Sequence, residues 1–165
     1  CLRRFESFPA HRDIFVDLVA MIVKWNDLPG IAGQVVLVDG SFDPLHEGHI
    51  AYFVAAERLG HPVFCNIAHD DWTKKKHPIL LPQESRAVVI DAIRSIAYVH
   101  CATTSTRDVL EQLRPIAYIK GTDWLQRGGV PQDEVEVCQK LGIKIQYVDT
   151  VLNSSSKLIE QVRKK

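Results

Sequence analysis

The chain lacks the features that mark the simplest protein classes. It has no charge of either sign to spare, because 20 Lys and Arg balance 20 Asp and Glu at a formal net charge of zero. A protein that grips nucleic acid without sequence preference carries a basic excess, so nucleic acid is not an expected partner. Any anion site must be local. Cysteine is sparse: Cys1, Cys65, Cys101 and Cys138 lie far apart with no C-x-x-C pair. That spacing excludes a zinc framework or a disulfide miniprotein and fits reduced thiols in a cytoplasmic protein. Long apolar runs are missing too. Residues 14–23 form the longest, interrupted by Asp17, and such a run is about half of what a membrane span needs. Arg3 and Arg4 precede it, but the internal Asp and the absence of a small-residue cleavage site oppose a signal peptide. No membrane is expected as a partner. Repeats are absent, and the only biased stretch is Lys74-Lys75-Lys76.

What the chain has is ordinary globular composition, 46% hydrophobic and 24% charged over 165 residues. Such a length suits a single domain that buries roughly two-thirds of its unfolded surface without a metal or staple. Short β-branched runs at 34–38, 63–68, 98–101, 116–120 and 143–148 alternate with helical patterns at 49–59, 82–96, 106–113 and 132–141. The runs are apolar on consecutive positions, as strands covered on both faces must be. Gly60, Pro115 and Gly142 follow three of the helices as stop signals. Strand and helix in repeated order predict right-handed crossovers and a doubly wound, five-stranded parallel α/β sheet. Residues 34–165 are expected to form this domain. Residues 1–33 are expected to add a helical extension, with an amphipathic helix over 13–26 that packs on the sheet or on a partner. Ligands of such sheets bind beyond the carboxyl ends of the strands, so the first strand-to-helix junction is where chemistry is expected.

That junction reads Asp39-Gly40-Ser41-Phe42-Asp43-Pro44-Leu45-His46-Glu47-Gly48-His49. Gly40 would permit a tight turn, Pro44 fixes one dihedral, and Gly48 lets a phosphate approach the backbone. His46 and His49 converge with the free N–H groups of a helix start, a setting that favours anions. Two histidines three apart also occur on ordinary surfaces; the G-S-F-D-P run before them and the strand–helix context select the phosphate site.

The segment resembles the signature of the H-x-G-H nucleotidylyltransferases, which implies a Rossmann-like fold and nucleotidyl transfer from a nucleoside triphosphate with release of pyrophosphate. The likeness extends to Ala68-His69-Asp70-Asp71, to Lys74-Lys75-Lys76 and to the helix bearing Arg86. Together these look like the lysine loop and arginine helix of the glycerol-phosphate cytidylyltransferase and heptose-phosphate adenylyltransferase groups. Lysines supply mobile point charges and arginine a fixed fork. Lys75 and Lys76 are the candidates to reach the triphosphate, with Arg86 and Arg94 further ones; three lysines in a row also suit a solvated loop.

Lys120-Gly121-Thr122-Asp123-Trp124 is similar to the stretch that holds base and ribose in the same groups. Gly121 would open the backbone and Trp124 would stack, although an aromatic at a strand exit also serves plain packing. Asn153-Ser154-Ser155-Ser156-Lys157 resembles the family's phosphate-binding turn, a sequence that equally suits ordinary N-capping. Where the glycerol-phosphate group carries an arginine shortly before this turn, the chain has Asp149-Thr150-Val151-Leu152, which speaks against glycerol 3-phosphate as acceptor; Lys120-Gly121, with Leu141-Gly142-Ile143 before the last strand, leans toward the heptose-phosphate group.

The resemblance thus implies an enzyme that moves a nucleoside monophosphate from CTP or ATP to a small phosphorylated sugar or polyol. His46, His49, Lys75 and Lys76 would be catalytic. Gly40, Ser41, Phe42, Asp43, Gly48, Arg86, Gly121, Asp123, Trp124, Ser154 and Ser155 would bind nucleotide. Mg²⁺ would ride on the triphosphate, without a protein carboxylate cage. A homodimer is compatible with this reading, and so is origin in a larger bifunctional chain. A non-catalytic nucleotide-binding module of the same fold is the rival.

Overall fold

The computed structural model describes residues 22–149 and Ile159. Five strands, β1 (Val36–Gly40), β2 (Val63–Ile67), β3 (Tyr98–Cys101), β4 (Ala117–Gly121) and β5 (Lys144–Val148), form one parallel sheet in the order β3-β2-β1-β4-β5. The helices among the described residues are α1 (Glu47–Glu57), α2 (Asp70–Thr73), α3 (Gln83–Asp91), α4 (Thr106–Leu113), α5 (Asp123–Gln126) and α6 (Gln132–Leu141). The α/β architecture expected from the alternating pattern is the one observed. Strand order reverses between β1 and β4, so their carboxyl ends flank the crevice where ligands of such sheets settle.

The unbroken apolar runs follow from burial on both sides. Val36 and Val38 face one core, shared with Phe53 and Ala56 of α1 and Ala87 and Ile90 of α3. Val35 and Leu37 face the other, shared with Val109, Leu110 and Leu113 of α4 and Val137 of α6. Helix boundaries are chemically marked. Ser105 and Asp108 cap α4 reciprocally at 3.2 Å each, and α6 stops at Gly142, whose φ of 69° a side chain would resist.

Differences from the expected elements have physical reasons. β1 extends to Gly40 because pairing with β2 continues through Asp39↔Asn66 and Gly40↔Ile67. α3 ends at Asp91, not 96, because the chain must turn for Ala97 to donate to the Val63 carbonyl at 2.9 Å and enter β3. The helix expected over 13–26 is not helical at its described end. Ile22 bridges Val99 beside β3, and a 3₁₀ helix follows at Trp25–Ile31, with Pro29 inside it. Leu28, fully buried, pins that turn into the second core. Residues 13–21 of the expected helix, and the turn with Ser154 and Ser155, lie outside the described residues.

Candidate active site

Gly40 ends β1, and its role differs from the expected turn. The Phe42 ring folds back so closely that a Cβ on Gly40 would lie 2.9 Å from its Cζ. Phe42 itself takes the left-handed φ of 52° and packs its buried ring against Phe53 and edge-on to His49, each at 5.1 Å between centroids. The backbone strain thus falls on Phe42, while Gly40 leaves room for its ring. Ser41 contributes its carbonyl, which accepts from Arg86 Nη1. Asp43 is fully buried, and its two oxygens accept the N–H groups of Leu80 at 2.8 Å and Leu81 at 3.0 Å.

His46 is the N-cap of α1, and His49 is the third helical residue. His46 Nδ1 accepts the Gly48 N–H at 3.1 Å, so the neutral ring carries its proton on Nε2. The two imidazoles stack with centroids 3.7 Å apart and planes 24° from parallel. Burial, then the neighbouring His46, lowers the His49 pKa to about 3. Burial also lowers that of His46, against the opposing pull of Glu47. Both rings are therefore neutral near pH 7. His46 Nε2 and His49 Nδ1 are buried and have no hydrogen-bond partner among the described residues. Buried polar atoms are rarely left so. Two such atoms at the start of an 11-residue helix, beside the β1–β4 reversal, make a seat for an acceptor that the described residues do not supply.

Arg86 corrects an expectation. Its guanidinium, expected to fork onto a triphosphate, is buried and held by the protein. Nε donates to the Leu81 carbonyl at 3.0 Å, Nη1 to Ser41, and Nη2 to Ala68 at 3.1 Å and to Asp70 at 2.5 Å. Arg86 thereby ties the loop after β1 to the loop after β2. Arg94 lies just before β3, at the amino edge of the sheet and away from the site. The three lysines are exposed. Lys74 pairs with Asp71 at 3.3 Å and Lys75 sits 4.1 Å above the Trp72 ring.

At the exit of β4, Gly121 pairs with Val148, and Asp123 opens α5 while accepting from Arg127 at 2.9 Å. Trp124 is partly exposed beside them. Sequence reasoning missed what lies beneath. Lys120 is buried, its Nζ 2.8 Å from Asp39 Oδ1, 3.9 Å from Glu134 Oε2, and over the rings of Tyr118 (4.5 Å) and Trp124 (4.2 Å). The Tyr118 hydroxyl lies 3.0 Å from Asp39 and 2.8 Å from Glu134, and Thr106 donates to Asp39 at 3.5 Å. One phenolic proton cannot serve two carboxylates. Burial first, and then the charge of Asp39, pushes Glu134 up to about 7 against the pull of Lys120. A protonated Glu134 donates to Tyr118, which then donates to Asp39, so every member is satisfied. The available signal was a lone charge closing the apolar run Ala117-Tyr118-Ile119.

The Cytidylyltransferase-like family model matches residues 37–161. The chain belongs to that family. It is 32% identical over 134 residues to the bifunctional protein HldE of Trichlorobacter lovleyi, covering 78% of this chain and 27% of that protein. It is also 32% identical over 96 residues to the FAD synthase of Methanosarcina mazei, covering 58% of this chain and 62% of that protein. The matches thus span about a quarter of one relative and under two-thirds of the other. The lipopolysaccharide core biosynthesis protein of Thermoplasma volcanium shares the fold, with a TM-score of 0.58 at 22% identity over 70% of this chain and 96% of that one. The family match and the two curated relatives make this a nucleotidyltransferase domain. Among the described residues no helix is long and apolar enough to cross a membrane, and no three His, Cys, Asp or Glu cluster as a metal site.

Proposed function

We propose that the chain transfers a nucleoside monophosphate from CTP or ATP to a small phosphorylated sugar or polyol. The observation that carries this reading is the neutral, stacked His46–His49 pair, with its orphaned buried nitrogens at the start of α1. An acceptor phosphate oxygen attacks the α-phosphorus in line, the bond to the bridging α–β oxygen breaks, and pyrophosphate leaves with that electron pair. No covalent enzyme intermediate is needed. His46 and His49, at the positive end of the α1 dipole, donate hydrogen bonds to phosphate oxygens whose charge grows in the transition state. Lys75 and Lys76, on a loop fastened to the same turn, steady the β and γ groups; Asp43 and Arg86 act as its fastenings. Trp124 and Gly121 form the wall for the base, and Ser154 and Ser155 add phosphate donors.

Mg²⁺ belongs with the triphosphate in this reading. Asp39 and Asp43, which flank the turn on its strand side, are engaged by Lys120 and by the Leu80 and Leu81 N–H groups, so neither is open to a protein-bound cation. Bound there, the metal would offset triphosphate charge. A cytoplasmic setting supplies such substrates. A homodimer goes with this reading and is checked by sedimentation of the purified chain.

The test is pyrophosphate release with CTP, ATP or GTP against a panel of sugar phosphates, polyol phosphates and flavin mononucleotide. Release that requires one nucleotide and one acceptor supports the proposal. Nucleotide binding with no release from any pair favours the non-catalytic module instead.

A further inference from the structure

Trp124 sits on a short helix that buries none of its residues. Leu125 beside it is 57% exposed. The Gly129 N–H, donating to the Trp124 carbonyl at 2.8 Å, fixes the backbone of the turn. What meets the ring is an ammonium. Lys120 Nζ lies 4.2 Å from its centroid and 4.5 Å from that of Tyr118. The ammonium cannot wander, because Asp39 holds it at 2.8 Å and Glu134 flanks it at 3.9 Å. A desolvated cation attracts an aromatic face more strongly than an exposed one does. Lys120 is 1% exposed.

We propose that Lys120 is a positioning residue for nucleotide recognition: pinned by Asp39, it holds the Trp124 ring as the platform on which the base stacks. Asp39 is adjacent to Gly40, so one ion pair sets the base platform relative to the phosphate turn. The inference rests on the nucleotide reading above and assigns Lys120 no contact with substrate.

Lys120→Met alone strands the Asp39 carboxylate in the interior and risks unfolding. The decisive variant is therefore Asp39→Asn with Lys120→Met, which removes both charges, confirmed as folded by its melting transition. The chain is labelled with 5-fluorotryptophan, and its three indole resonances (Trp25, Trp72, Trp124) are assigned with Trp124→Phe. The expected result is a Trp124 resonance that moves toward an exposed indole while Trp25 holds. The dissociation constant for ATP or CTP should rise about tenfold, and that for inorganic tripolyphosphate, which has no base, should stay within twofold. Lys120→Arg, which keeps the charge, should regain part of the nucleotide affinity.

An unmoved Trp124 resonance, or equal losses for nucleotide and tripolyphosphate, overturns the assignment. So does a double variant that binds nucleotide as the wild type does. A wild-type chain that binds neither probe overturns the functional reading itself, and the inference with it.

Discussion

His49 is half-buried, neutral and stacked on a second imidazole, an arrangement that costs the fold stability whenever the ring must take a proton. Its pKa of about 3 lies below the ordinary 6.5, so the unfolded chain binds the proton more readily. Stability should therefore fall as pH drops from about 6.5 toward 3, by a few kcal/mol at most from this group, and urea titrations of His49→Ala should show a shallower fall. The same variant tests catalysis. Loss of a donor aimed at the transition state should lower turnover by two to three decades, about 2.7–4 kcal/mol. Nucleotide affinity should drop far less, and melting at pH 7 should change little because an unpaired buried nitrogen leaves with the ring. Near-normal pyrophosphate release from a folded variant would refute the catalytic assignment. Glu134 has the opposite sign. A carboxyl raised from 4.5 to about 7 adds stability below about pH 4.5 that is lost as pH rises through 7. Glu134→Gln should be more stable than the parent at pH 8, on the order of 2 kcal/mol, and nearly equal to it at pH 5. Equal denaturation midpoints at both pH values would show that Glu134 is not protonated in the fold. His46 and His49 were legible because the motif and the strand–helix context name them. Asp39, Lys120 and Glu134 were not, because only the β1–β4 neighbourhood brings them together.

Among the elements, the segment from α2 to the start of α3 carries the lysines. Lys75→Ala with Lys76→Ala should weaken triphosphate binding by roughly 1.5–3 kcal/mol per lost charge-assisted contact and leave the melting temperature unchanged. Calorimetry showing unaltered affinity would return both to a solvated loop. The lysine run could be read from the sequence, but its fastenings could not. An arginine ahead of a phosphate site reads as a ligand; that Arg86 is spent on carbonyls depends on which loops meet in space. The helix expected through residue 26 failed at its described end for a similar reason. Amphipathic spacing at 22–26 also suits a segment laid along β3, and the bridge from Ile22 to Val99, with Leu28 buried in the 3₁₀ turn, favours extended chain at 22–24 followed by that turn.

For the whole molecule, the parallel sheet was legible because strands covered on both faces need consecutive apolar residues, and the alternation with helices admits few topologies. The order β3-β2-β1-β4-β5 is set by packing that no periodicity records. A ligand that binds only the folded state at a hundred times its dissociation constant adds about 2.7 kcal/mol, so saturating ATP or CTP should raise the melting temperature by about 5–10 °C for a domain of this size. The parent nucleoside, lacking the phosphates, should raise it far less; equal shifts would place recognition away from the histidine turn. One arrangement in the loop after β2 bears on how such a ligand is caught. Arg86 fastens one end of that loop through Asp70, and Asp43 fastens the other through Leu80 and Leu81. Lys74, Lys75 and Lys76 hang between two tethers. Their charge is therefore supplied at a high local molarity set by tether length, with much of the entropy of gathering it already lost on folding. Releasing either tether would dilute the lysines without removing one of them.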